Sequence, residues 1–280
     1  MDIATGTYLI RRYNVKMVII YCLFVFGFIS KNPAVVLAQR GFGLEVHPLS
    51  FSAVASPTYT FPLIGNPSAQ NGNWIRWKSM TPFGIDDLKS NSFGMGYQGR
   101  FGSIGVELHR MAFDLYNESV YAFGFGYVTS DFGIGGVLGS EVVAIPSYGK
   151  SNVIFSGVGF WKNIAQKLMI EGVFNGVPVH GSGDFEYDTP MRVSSVIHYD
   201  FADGFKLSYA FSAQSDWSEQ FLIVFGSIPD AIDTFIAYNL TLATWMFGIS
   251  VNIKGVNGVY SMSSHQHLGW SRGFGFGYVR

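Results

Sequence analysis

His265 and His267 stand two residues apart near the end of the chain. In an extended segment that spacing puts both imidazoles on one face, where they could ligate a metal. A metal centre needs three or four ligands and a supporting shell. The only cysteine is Cys22, and no carboxylate in the preceding sequence is closer than Asp233. The histidines are therefore read as polar turn residues, and no metal is expected. Asp86-Asp87 and the alternating Asp184, Glu186 and Asp188 gather negative charge. They supply only part of a calcium loop's ligand pattern, so they read as solvated loops. Serines and histidines occur, but no Ser-His-Asp order can be picked out. Gly149-Lys150-Ser151 occurs, but position 144 is alanine, so the spacing of a phosphate loop is not met. No catalytic residue and no cofactor is expected, and the chain does not read as an enzyme.

A second set of polar residues is scattered: Glu107, His109, Lys167, Glu171, Arg192, His198, Lys206 and Arg272. They fall on or near strand faces that are otherwise made of small residues. Charges on an enclosed face are generally paired, so structural pairing across an interior is favoured over a charged pore lining.

The elements that position these groups show in the last residues of the chain. From Trp270 the even positions are Trp270, Arg272, Phe274, Phe276 and Tyr278; the odd ones are Ser271, Gly273, Gly275, Gly277 and Val279. A period of two means a strand. Bulk on one side and glycine on the other suits a strand with one face in lipid and one in a crowded interior. The same alternation recurs at 92–99, with Phe93, Met95 and Tyr97, and at 119–128, with Tyr121, Phe123, Phe125 and Tyr127. Counting similar segments gives about fourteen strands, each near the length a tilted membrane strand needs. The expected fold is all-β: an up-and-down transmembrane β-barrel of about fourteen antiparallel strands, closed by pairing of the last strand with the first near Trp74–Trp77. Trp270, Phe274, Phe276 and Tyr278 are expected to drive membrane assembly of the closing strand. A soluble barrel or sandwich is the alternative, but it has no use for so many aromatics and would leave glycine-rich strands facing water.

Connections at 80–91, 110–118, 141–152 and 175–190 are expected to be long, and those between them short. That is the pattern of long outer loops and tight periplasmic turns. Beyond the eighth strand every connection reads as short, and the Asn239-Leu240-Thr241 interruption suits a turn.

Only 13% of the 280 residues are charged and the net charge is −1, so nothing points to nucleic acid. The 17% aromatic content excludes disorder. The apolar run from Met17 to Ser30 follows Arg11, Arg12 and Lys16 and precedes Val36-Leu37-Ala38. This reads as a secretory signal peptide at 1–38, with a single anchor helix as the alternative. Residues 39–72 carry four prolines, are poor strand material, and read as a plug-like segment in the barrel mouth. The barrel occupies 73–280.

Gly65-Asn66-Pro67-Ser68-Ala69, Phe101-Gly102-Ser103-Ile104-Gly105-Val106, Asp114-Leu115-Tyr116-Asn117-Glu118-Ser119 and His265-Gln266-His267-Leu268-Gly269-Trp270-Ser271 occur in that order. Together they make the chain from about Val46 onward resemble the short PorV-like members of the FadL-like outer-membrane barrels. The resemblance implies fourteen strands and an internal N-terminal segment. It also implies kinship with type IX secretion components and with transporters of hydrophobic molecules. The expected location is the bacterial outer membrane. The main expected role is a scaffold or subunit of a surface or secretion assembly; the alternative is a passive channel or transporter for small or hydrophobic solutes, with an outer-membrane hydrolase as the weakest reading because no catalytic constellation can be named. Expected partners are outer-membrane lipid, the barrel assembly machinery and other secretion or surface proteins, with no nucleic acid.

Overall fold

In a strand two residues make one repeat, so a segment that alternates large apolar with small or polar residues has only one way to face lipid. The computed structural model describes residues 62–70, 72–185, 191–214, 217–228, 231–265 and 269–279. Fourteen strands form: β1 (Trp74–Thr81), β2 (Lys89–Gly99), β3 (Gly102–Phe113), β4 (Tyr116–Val128), β5 (Phe132–Ile145), β6 (Gly149–Ala165) and β7 (Leu168–Gly183), then β8 (Arg192–Ala202), β9 (Phe205–Gln214), β10 (Trp217–Ile228), β11 (Ile232–Asn239), β12 (Thr244–Ile253), β13 (Val256–His265) and β14 (Gly269–Val279). Each pairs with its neighbours in sequence, and β1 pairs with β14 to close the barrel. The seam is antiparallel, with Trp74 opposite Val279 and Trp77 opposite Phe276. Closure leaves no unpaired strand edge.

The outer face is apolar. Phe93, Tyr97, Phe123, Phe125, Phe247 and Phe276 are all exposed there. Half-exposing one such ring leaves roughly 100 Å² of apolar surface, a cost in water of about 2.5 kcal/mol at ~25 cal/mol per Å². Dozens of such side chains form a belt that only a hydrocarbon surrounding makes favourable. Among the described residues no helix is long and apolar enough to cross a membrane.

The inner face divides in two. Toward β3–β7 it is glycine-rich and encloses residues 62–70, which form a short helical turn, α1 (Pro62–Gly65), and a 3-10 turn (Pro67–Ala69). Toward β8–β12 it carries an apolar cluster, Val196, Ala210, Phe221, Ile223, Phe235 and Met246, among buried serines such as Ser194, Ser208 and Ser212.

Several connections are shorter than the sequence suggests. β3 runs to Phe113 and β4 starts at Tyr116, so most of 110–118 is strand. β5 continues to Ile145 and β6 starts at Gly149, which does the same to 141–152. Glu118 and Glu141, placed in outer loops by their charge, are buried inward residues of β4 and β5. The expected signal peptide and residues 39–61 lie outside the described residues, as do Glu186, Asp188 and His267, so the fates of the acidic grouping and the histidine pair are not told here. The turn after Asn239 is as expected: its Oδ1 accepts from the amides of Thr241 and Leu242, an Asx turn.

Candidate functional site: an internal segment held by buried carboxylates

The inner glycines explain how a chain segment fits inside the wall. A Cβ at Gly126 would come 2.8 Å from the Pro67 carbonyl oxygen, and one at Gly135 would collide with Pro67 itself. At Gly159 it would strike the Asn66 amide. Any larger residue at these positions of β4, β5 and β6 excludes the segment.

Wall side chains take up its backbone polar groups. The Glu107 carboxylate on β3 accepts from the amides of Leu63 at 2.7 Å and Ile64 at 3.1 Å. These are first-turn amides of α1, which have no partner within a helix. The Asn175 side chain donates to the Ile64 carbonyl at 3.0 Å, the Trp161 indole to the Ser68 carbonyl at 3.2 Å, and the Ser103 hydroxyl to the Gln70 carbonyl at 3.0 Å. Five backbone groups that would be costly to bury alone are thereby satisfied.

The second carboxylate sits across the segment, on β7. Glu171 accepts from the Asn66 amide through Oε2 at 3.1 Å and contacts His198 Nε2 through Oε1 at 2.7 Å. His198 Nδ1 lies 2.6 Å from the Ser208 hydroxyl. With Glu171 ionised, the network assigns Nε2 as the donor and Nδ1 as the acceptor from Ser208. Asn66 Oδ1 also accepts from the amide and hydroxyl of Ser68, capping the 3-10 turn. Ser208, His198 and Glu171 have the residue types of a hydrolytic relay, yet all three are sealed within the wall. The other Glu171 oxygen is committed to Asn66. Chemically the arrangement holds a segment in place. Glu107 has its own histidine, His109, with Nε2 at 3.6 Å and Nδ1 at 2.8 Å from the Ser92 hydroxyl.

Of the polar residues singled out in the sequence, Glu107, His109, Glu171 and His198 come together around residues 62–70. Arg192 and Lys206 take inward register positions and are half-buried, with Lys206 3.9 Å from Asp200. Two residues are not on the inner face. Lys167 is exposed in the turn between β6 and β7, because β7 starts one residue later than expected. Arg272 shares the outward register of Phe274 and is 60% exposed, 3.6 Å from Asp86 at the rim opposite the seam's Val279 end. At that rim a guanidinium on the outer face stays in water. Trp270, Phe274, Phe276 and Tyr278 all project outward.

Asn66, Trp161, Asn175 and Ser103 are absent from the sequence-derived set. Asn66 carried a signal, lying in the quoted Gly65–Ala69 stretch. Ser103 likewise lies in the quoted Phe101–Val106 stretch, whereas Trp161 and Asn175 are inward-parity residues whose partners are distant in sequence.

No protein-family model matches the chain, and no curated protein matches it in sequence. Solved structures do match in shape. The CymD monoaromatic hydrocarbon channel superposes with a TM-score of 0.60 at 9% identity, over 84% of this chain and 97% of that one. The toluene transporter TbuX of Ralstonia pickettii gives 0.56 at 8% identity, over 78% and 93%. The toluene transporter TodX of Pseudomonas putida gives 0.53 at 8%, over 78% and 91%. The fold is that of these membrane-channel barrels. At such identities the likeness is one of architecture, and the residues inside each barrel are its own.

Proposed function

We propose that this protein is a passive outer-membrane channel for small, poorly water-soluble solutes, obstructed at rest by residues 62–70. The observation that carries the reading is the divided inner wall: one half anchors a segment through polar side chains, and the other, β8–β12, presents apolar ones. A segment held by side-chain hydrogen bonds can be released without breaking any strand pairing. The apolar half suits a solute that gains little from water. The fold shared with hydrocarbon channels supports the reading at the level of architecture.

The test is uptake of toluene and of a neutral sugar into proteoliposomes. Toluene is expected to enter faster than through protein-free vesicles, and faster still with Glu107→Ala plus Asn66→Ala. Uptake equal to protein-free vesicles for both the parent protein and the variant would refute the proposal.

A second reading, a scaffold in a surface or secretion assembly, draws on the short connections of the rim away from the seam's Val279 end, such as the two residues between β3 and β4. Isolation from detergent-solubilised membranes would recover a stoichiometric protein partner if this reading holds, and none if it does not.

A further inference from the structure

Lys78 lies inside the barrel on β1, with Ile75 and Trp77 on the opposite parity. Opposite it across the seam stands Gly275, and the next inward position on β14 is Gly273. A Cβ at Gly273 would sit 3.3 Å from Lys78 Cε and 3.2 Å from the Ser261 hydroxyl oxygen. The missing side chain on β14 therefore lets the lysine stem reach across that strand toward Ser261 on β13. Register continues the row from Gly275 to Val259 and from Val259 to Ser250 on β12. Ser250 and Ser261 are diagonal neighbours on adjacent strands, within reach of one bound group.

None of these three polar groups has a partner among the described residues. The Ser250 and Ser261 hydroxyls are each 1% exposed and lack any hydrogen bond. A buried hydroxyl without a partner carries its full desolvation penalty, and an enclosed ammonium without a counter-charge carries a larger one. Three such groups in one place are easiest to understand if something else completes them. The nearby inward carboxylate, Glu107, is committed to the Leu63 and Ile64 amides. On the other side of Lys78 the register brings Ser92 and then His109, which hydrogen-bond each other. The three groups therefore suit an acceptor that carries negative charge.

We propose that Lys78, Ser261 and Ser250 form a binding site in the barrel interior for the carboxylate of a small organic acid. The ammonium supplies the charge and the hydroxyls donate to the carboxylate oxygens. Lys78 retains some accessible surface. Val259, next in the row, packs against the apolar cluster of β8–β12, which places an apolar wall beside the charged head. The site goes beyond the channel reading by adding a charged solute class to the poorly water-soluble one. Binding and transport are separate measurements, so either can fail without the other.

The experiment is calorimetric titration of the detergent-solubilised full-length protein with sodium benzoate, benzamide and inorganic phosphate, each variant first checked for heat-modifiable migration. Benzoate is expected to bind saturably and more tightly than benzamide or phosphate. Lys78→Met should weaken it by about tenfold or more, the factor that loss of one charge-assisted contact brings. Lys78→Arg, which keeps the charge, should retain most of it, and Ser250→Ala with Ser261→Ala should weaken it several-fold. Absence of saturable benzoate binding, equal binding of benzamide, tighter binding of phosphate, or an unchanged affinity in a folded Lys78→Met protein would each overturn the proposal.

Discussion

Glu107 and Glu171 are the two carboxylates that hold residues 62–70, and disturbing each has distinct expected consequences. Glu107→Ala removes the acceptor of two buried amides and leaves both unsatisfied. At about 1–3 kcal/mol for each orphaned group, amide hydrogen exchange at Leu63 and Ile64 should accelerate by at least roughly tenfold, read by mass spectrometry of the peptide covering them. Unchanged exchange would mean that the Glu107 carboxylate does not hold these amides. His198→Ala strips Glu171 of a buried partner 2.7 Å away. Breaking one side of a buried pair typically costs about 3–5 kcal/mol, so the unfolding temperature in detergent should fall clearly. His198→Gln, which can still donate, should recover part of the loss. Much of this residue-scale picture was legible from alternation: Glu107, His109, Glu171 and His198 were placed by counting in twos. Arg272 shares the outward parity of Phe274 and Phe276, so for this residue the count in twos and the preference of charge for the interior point in opposite directions, and the count prevails. The pairing of Asn66 with Glu171 spans 105 residues, and nothing in the local pattern of either position announces it.

At the scale of elements, the glycine-rich faces and the aromatic faces are two halves of one design. Gly135 faces Pro67, while Gly258 on β13 has nothing within 4 Å of where its Cβ would be. Gly135→Val should expel residues 62–70 or prevent assembly, and Gly258→Val should leave both intact, although the chemical change is the same. Protease accessibility of the 62–70 stretch in the assembled barrel would tell them apart, and similar behaviour of the two would show that the inner glycines do not shape the segment's seat. Strand existence was readable because the alternation is sustained. Strand length was not, because Glu118 and Glu141 look like loop residues until the barrel interior is seen to take buried carboxylates. On β14, Phe276 and Tyr278 project from the outer face near the end of the seam. Replacing both by alanine strips apolar surface that meets lipid and covers the pairing with β1. The double variant should accumulate as unassembled chain in a membrane-insertion assay, and wild-type assembly would remove the special role given to the closing strand.

For the whole molecule, closure of the sheet is the property on which every other statement depends. An inner face exists only if β1 meets β14, and the seam is where an open sheet would come apart. Trp77 and Phe276 are direct partners there, with rings stacked at 6.3 Å, and Trp77 also meets Phe274 edge-on at 5.5 Å. Directly opposed residues in an antiparallel pair have Cα atoms about 4.5–5.5 Å apart, within the range a disulfide spans. Trp77→Cys with Phe276→Cys, in a Cys22→Ser background, should therefore oxidise to an intramolecular disulfide in the membrane-assembled protein. Because the linked residues lie near the two ends of the sheet, the bond turns about two hundred residues into a covalent ring, the span following from the register of the seam. The oxidised protein should migrate differently from the reduced one after boiling in detergent, and should unfold at a higher temperature than the reduced form. A pair shifted by one residue, Lys78→Cys with Phe276→Cys, points to opposite faces and should not close. If the shifted pair oxidised as readily as the matched one, the register of the seam would be wrong, and with it the assignment of every inward residue on β1 and β14, Lys78 included.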